Sequence, residues 1–255
     1  MSNSVVLTEI EDGVITITLN RPEAKNAVNK AVAEGVAAAI DELEGNPELR
    51  VGILTGAGGT FCSGMDLKAF VSGELPIVEG RGLAGLCEYT TKKPLLAAVE
   101  GYALAGGFEV AISCDLIVAA EDAKFGIPEV KRGLAAGAGG LVKLPKQISP
   151  RIAMELALTG DFISAQRAYE LGLINSVAAP GGALEAARGL AQRISANGPL
   201  AVAASKAVVD HALDWSREEM FVKQQDLIRP VFTSEDAIEG ATAFAEKRAP
   251  QWKGK

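Results

Sequence analysis

Two glutamates stand where a carboxylate is out of keeping with its neighbours. Glu109 is the only charged residue between Glu100 and Asp115, and Glu129 follows the run Phe125-Gly-Ile-Pro128. A carboxylate in an apolar pocket has its ionised form destabilised, so its pKa moves toward neutrality. Two such groups facing one reacting centre can divide the work of base and acid. Gly106-Gly107, just before Glu109, reads as a helix opening whose free N–H groups could hold a developing oxyanion. The chemistry on offer is therefore proton transfer beside a polarised carbonyl. A plainer account exists for both residues: acids favour the first turn of a helix, and Pro-Glu is a common helix opening.

Other chemistries find less support. The single histidine, His211, reads as a late-helix surface residue, and no Gly-x-Ser-x-Gly elbow accompanies it, so a Ser-His-Asp triad is not expected. One histidine and three scattered cysteines, Cys62, Cys87 and Cys114, make neither a metal site nor a disulfide framework. Gly56-Ala-Gly-Gly-Thr-Phe61 follows a strand, but Phe61 breaks the dinucleotide fingerprint, and no P-loop lysine follows any glycine loop.

Elements able to carry the glutamates can be read along the chain. Ile15, Ile17 and Leu19 alternate with threonines after the turn Asp12-Gly13, predicting a hairpin strand. A helix is expected from about Asn26 to Leu43, with Val28, Val32, Val36, Ile40 and Leu43 on one face. Val51–Thr55, Pro94–Val99 and Leu116–Ala120 read as buried strands, and Phe108–Ser113 as a helix. Residues 66–92 read as helix with an irregular stretch over 72–82. Past Ser149 the pattern turns wholly helical, with starts at Pro150, Ser164, Gly182, Pro199, Ser216 and Ser234. The fold class is thus α/β, with residues 1–195 as core and 196–255 as a helical C-terminal region.

The 255 residues carry a formal net charge of −7 and 5% aromatics, which argues against a nucleic-acid partner. Charge-free runs are too short for a membrane span, and Met1–Val5 shows no signal-peptide pattern. Unpaired cysteines fit a reduced, cytoplasmic setting.

The chain resembles the crotonase, or enoyl-CoA hydratase/isomerase, superfamily. The resemblance runs through Leu19-Asn-Arg-Pro-Glu-Ala-Lys-Asn-Ala27, Phe61-Cys-Ser-Gly-Met-Asp-Leu-Lys68 and Gly101-Tyr-Ala-Leu-Ala-Gly-Gly-Phe-Glu-Val-Ala-Ile-Ser-Cys-Asp115. It continues in Phe125-Gly-Ile-Pro-Glu-Val130, Leu158-Thr-Gly-Asp161 and Phe244-Ala-Glu-Lys-Arg248. The resemblance implies a spiral of ββα turns with a helical trimerisation region, and a homotrimer or dimer of trimers. It also implies an acyl-CoA thioester substrate, CoA being part of the substrate and no further cofactor being needed. By position, the backbone N–H groups of Met65 and Gly106 would form an oxyanion hole. Glu109 would activate water for attack at C3 of a trans-2-enoyl-CoA, and Glu129 would deliver a proton to C2. Ala24, Lys25, Asp66, Leu67 and Lys68 would wrap CoA, with Phe244 and Lys247 reaching it from the last helix of a neighbouring subunit or of the same chain.

The family's hydratases carry both glutamates, whereas its isomerases usually keep only the second. The pair thus favours a hydratase over a Δ3,Δ2-enoyl-CoA isomerase or a non-catalytic acyl-CoA binder, with hydration of a specialised enoyl-CoA as the alternative it leaves open. An RNA-binding relative uses a lysine-rich helix; here the matching Lys30–Glu42 segment has one lysine. Two departures stand at Ala105, where glycine is frequent, and at Ala136-Gly-Ala-Gly-Gly-Leu-Val-Lys143, where the family's hydratases often have Pro-Gly-Ala-Gly-Gly-Thr-Gln-Arg.

Overall fold

The computed structural model describes residues 4–255, so the reading of Met1–Val5 as lacking a signal-peptide pattern falls mostly outside the described residues. The chain opens with β1 (Val6–Glu11) and β2 (Val14–Leu19), an antiparallel hairpin turned at Asp12-Gly13 as the sequence predicts. α1 (Lys30–Gly45) follows, then β3 (Val51–Gly56) and a short α2 (Leu67–Val71). After the two-residue strands β4 (Ile77–Val78) and β5 (Gly82–Leu83) come β6 (Leu95–Val99), β7 (Tyr102–Leu104) and α3 (Gly106–Ala111). The next turn is β8 (Leu116–Ala120), β9 (Lys124–Gly126), a 3-10 turn over Pro128–Arg132 and α4 (Gly140–Gln147). Then follow α5 (Pro150–Thr159), β10 (Ile163–Ser164), α6 (Ala165–Glu170), β11 (Ser176–Ala178) and α7 (Ala183–Ser195). The chain closes with α8 (Pro199–Ala212), α9 (Met220–Phe232) and α10 (Glu235–Glu246).

A six-stranded sheet in the order β1-β2-β3-β6-β8-β11 is parallel except for the β1–β2 hairpin. A second sheet, β10-β9-β7, runs beside it. β6–β7–α3 and β8–β9–α4 are therefore two turns of one spiral: each sends a strand to the large sheet, a strand to the small one, and then a helix. Strands covered on both faces need apolar residues throughout, and every residue of β6 is buried. α7 packs on one face of the large sheet through Ala187 and Ala191, against Ile53, Leu96, Ala98 and Val118. α1 covers the other face with Val32, Val36, Ile40 and Leu43 of the stripe read from the sequence; Val28, its first expected member, is buried too but precedes the helix. Each such aliphatic side chain contributes about 1.5–3 kcal/mol of burial.

Three expectations are corrected. α1 begins at Lys30, capped by Asn29, rather than at Asn26. Asn26 is itself buried at φ 55°, where its amide holds the carbonyls of Ala57 and Thr60 and accepts the Arg21 N–H. The only helix in residues 66–92 is the five-residue α2; Gly73, Gly80, Gly82 and Gly85 take positive φ beyond it, and β4 and β5 pair there instead. The region past Ser149 is not wholly helical: β10 pairs with β9, and β11 extends the large sheet through β8. These strands are too short to show an alternating pattern. Among the described residues, no helix is long and apolar enough to cross a membrane.

Candidate active site

A cavity of about 620 Å³ opens where the loop after β3, the start of α3 and the segment 128–138 converge. Its lining is mostly apolar and contains both Glu109 and Glu129. A pocket of this size and character suits a small-molecule substrate.

The first wall is main chain. Gly64 O accepts the Val28 N–H and Asp66 N–H donates to Val28 O, which fixes residues 64–66 against the start of α1. Ala105 sits at φ 51°, ψ −131°, a strained conformation that costs on the order of 1–3 kcal/mol and turns the chain sharply into α3. Gly107 is required by close approach, since a Cβ there would run into the Cys62 carbonyl. The result brings Gly106 beside Met65: a Cβ on Gly106 would lie 3.5 Å from the Met65 nitrogen. Neither the Met65 nor the Gly106 N–H has an acceptor among the described residues.

Glu109, in the first turn of α3, is 3% exposed. Its Oε1 accepts N–H bonds from Ala138 (2.8 Å) and Gly140 (2.9 Å), at and just before the start of α4. Burial pushes its carboxyl above the usual range; the two N–H bonds and the charge of Lys143 oppose that rise. Glu129, in the Pro128–Arg132 turn, is also buried, and its Oε2 has no hydrogen-bond partner. Burial pushes Glu129 up to about 7, with the nearby Glu109 charge adding to it.

The other expected residues divide. Lys25, Met65 and Leu67 line the cavity, Lys25 with its ammonium 5.6 Å from the centre of the Tyr102 ring. Ala24, in the turn Pro22–Ala24, and Lys68, exposed on α2, do not. Asp66 does not line it either: its carboxylate caps α2 by accepting the Lys68 and Ala69 N–H groups and pairs with Arg21 at 2.9 Å. Its side chain is thus already engaged within the fold. Phe244 and Lys247 lie on and just after α10, both exposed and away from their own chain's cavity. His211 is an exposed residue in the last turn of α8, as read from the sequence. The three cysteines are buried and free, with the Cys62 and Cys87 thiols pushed up to about 12 by burial. Among the described residues, no cluster of three or more His, Cys, Asp and Glu side chains could hold a metal.

Sequence reasoning missed the Ala138 and Gly140 N–H groups that grip Glu109. It also missed Glu88, Arg132 and Phe162 on the lining. Main-chain donors carry no side-chain signature; the glycines at 137, 139 and 140 were the only available signal.

A family profile described as Enoyl-CoA hydratase/isomerase matches residues 9–255. An enoyl-CoA hydratase structure from Mycobacterium tuberculosis is 60% identical with a TM-score of 0.97, covering 99% of this chain and 100% of its own. The carnitinyl-CoA dehydratase of Salmonella typhi is 42% identical over 263 residues, 100% of both chains. A carnitinyl-CoA hydratase structure from Mycobacterium avium is 43% identical with a TM-score of 0.78, covering 99% of each chain.

Proposed function

This chain belongs to the enoyl-CoA hydratase/isomerase family, and from that premise we propose that it adds water to a trans-2-enoyl-CoA to give a 3-hydroxyacyl-CoA. The coarser activity, hydratase or dehydratase chemistry on CoA thioesters, follows from the family itself. The finer reading rests on one observation. Two buried carboxylates share a cavity with two main-chain N–H groups that have no acceptor.

In this mechanism the thioester oxygen accepts hydrogen bonds from the Met65 and Gly106 N–H groups. Conjugation draws electron density from C3 toward that oxygen. Ionised Glu109 takes a proton from water as the water oxygen bonds to C3. The resulting enolate places negative charge on the oxygen, where each N–H contributes about 2.7–4 kcal/mol of transition-state stabilisation. Protonated Glu129 then delivers its proton to C2. The pair ends with Glu109 protonated and Glu129 ionised, and solvent exchange resets it. Glu129 is suited to the donor role because nothing in the fold hydrogen-bonds its Oε2 and burial holds its proton to about pH 7.

A second reading has its own support. The similarity to carnitinyl-CoA dehydratase covers the whole chain, and Glu88 adds a third carboxylate to the lining, with no salt-bridge partner among the described residues. The substrate would then be a specialised acyl-CoA bearing a cation, dehydrated by the same steps in reverse. Crotonyl-CoA and carnitinyl-CoA assayed side by side separate the two. Loss of enoyl-thioester absorbance with crotonyl-CoA supports the first reading. Turnover confined to carnitinyl-CoA supports the second, and turnover of neither overturns both.

The assembly is proposed as a homotrimer or a dimer of trimers. Large apolar side chains stand exposed along the C-terminal helices, including Leu213 at 75%, Phe232 at 74% and Phe244 at 88%. Phe244 and Lys247 would then meet CoA bound to a neighbouring copy. Sedimentation at micromolar concentration as a monomer would overturn this assembly.

A further inference from the structure

Lys143 is a cation in an unusual place. It lies on α4, one turn past Gly140, and its half-buried side chain reaches back to the segment after β5 and to the end of α3. Its Nζ donates to the Cys87 carbonyl at 2.7 Å and to Ser113 Oγ at 2.8 Å. Ser113 Oγ in turn donates to the Glu109 carbonyl oxygen at 2.6 Å. Among the described residues no carboxylate forms an ion pair with Lys143. A lysine held by neutral acceptors alone gives up hydration without a counter-charge, a cost that calls for an explanation.

The two ends of α4 and its preceding loop supply one. The loop grips the Glu109 carboxylate through the Ala138 and Gly140 N–H groups. One helical turn later, Lys143 reaches the same residue's main chain through Ser113. Glu109 is thus held at its carboxylate and, through Ser113, at its backbone by one stretch of chain, residues 138–143, and the ammonium lies near enough for its charge to favour the ionised carboxylate. Four titratable groups face the ammonium: Glu109 on α3, Cys114 just beyond α3, and Cys87 and Glu88 in the segment after β5. Burial raises both thiols, so they stay neutral at working pH. Glu88 is exposed to solvent, which screens it. Glu109 is the buried negative charge that remains.

We propose that Lys143 is a positioning residue for Glu109, fixing the end of α3 against α4 through Ser113 and Cys87 and supplying a half-buried positive charge near the water-activating carboxylate. This rests on the reading of Glu109 as the base.

Removing the charge favours protonation of Glu109, which must be ionised to activate water. The acid limb of the kcat/KM profile should therefore move to higher pH. Lys143→Gln keeps an N–H donor for Cys87 and Ser113 but no charge, Lys143→Met removes both, and Lys143→Arg keeps the charge. The expected result, on whichever CoA thioester the wild type turns over, is an acid limb shifted up by about one pH unit in the Gln variant. That is roughly a tenfold loss on the acid limb with a much smaller loss at the plateau. Lys143→Met should add a loss at every pH, and Lys143→Arg should stay within about threefold throughout.

An unmoved acid limb in Lys143→Gln overturns the proposal while leaving the hydratase reading intact. If the wild type turns over no CoA thioester, the hydratase reading fails instead. A 13C carboxyl titration, with the Glu109 signal identified by its loss in Glu109→Gln, then tests Lys143 directly. A higher Glu109 pKa in Lys143→Gln supports the proposal, and an unchanged one overturns it. Should Lys143→Met fail to fold, the Gln and Arg variants carry the test.

Discussion

Glu109 and Glu129 share one cavity and differ in what holds them. The Glu109 carboxylate accepts two main-chain N–H bonds and faces a lysine; one oxygen of Glu129 accepts nothing. Both are pushed up by burial; around Glu109 two main-chain N–H groups of another segment and Lys143 oppose the rise, whereas around Glu129 only its own N–H and the Arg132 charge do, and the Glu109 charge adds to it. Hydrogen bonds to the charged form favour ionisation, and their absence favours the proton. The asymmetry of surroundings is the support for the proposed roles, Glu109 as base and Glu129 as acid, with no difference in side-chain chemistry between them.

The sharpest way to break that comparison is to remove each carboxylate in turn. Glu109→Gln and Glu129→Gln should each lower kcat between about a hundredfold and ten-thousandfold, the usual range for lost general acid or base catalysis. Folding should survive both. In Glu109→Gln the amide oxygen still accepts from Ala138 and Gly140, and in Glu129→Gln a buried group with an unpartnered oxygen becomes permanently neutral. Near-wild-type turnover in either variant on the true substrate breaks the division of labour.

Next in size is the effect of pH. The pair works with one proton between the two carboxylates. Hydration starts with it on Glu129, and dehydration starts with it on Glu109. The same count of protons serves both directions, so kcat/KM should be bell-shaped with the same limbs in each. Above about pH 7 the pair loses its proton, and kcat/KM should fall tenfold per unit. Stability carries the same signature. A carboxyl raised to about 7 in the fold holds its proton more tightly there than in the unfolded chain. Its contribution therefore falls as pH rises from about 4.5 to about 7, by on the order of 3 kcal/mol. The thermal midpoint of Glu129→Gln relative to wild type should be higher at pH 8 than at pH 5. Equal differences at the two pH values would mean that Glu129 ionises as an ordinary glutamate.

How much of this was legible before any coordinates depends on whether the signal was local. The β1–β2 hairpin, the buried runs of β3, β6 and β8, and the apolar stripe of α1 are periodic patterns, and all are present. Glu109 and Glu129 were visible because each breaks an apolar context. The strand β11 was not, since three residues cannot show a period and its pairing to β8 spans more than fifty positions. Asn26 was taken for the helix start because asparagine opens helices, whereas its amide is spent across the chain on residues 57 and 60. Asp66 is expected near CoA by motif position alone, and nothing in the sequence signals that its carboxylate caps α2.

Asp66 also offers the smallest and cleanest contrast with the two glutamates, as a carboxylate that is fully partnered. Burial opposes its charge, but Arg21 and the Lys68 and Ala69 N–H groups more than offset that and hold its carboxyl below the usual range. A group so satisfied has no proton to trade at working pH, so it should contribute structure and no chemistry. Asp66→Ala removes a helix cap worth about 1 kcal/mol and should lower the thermal midpoint by roughly 2–4 °C at neutral pH. Because the depressed carboxyl stabilises only while ionised, that difference should shrink as pH falls below about 4. Turnover should stay within about threefold, since the Asp66 N–H that pins the loop to Val28 is main chain and survives the substitution. A kcat loss approaching that of Glu109→Gln would place Asp66 in the chemistry and erase the distinction between partnered and unpartnered carboxylates.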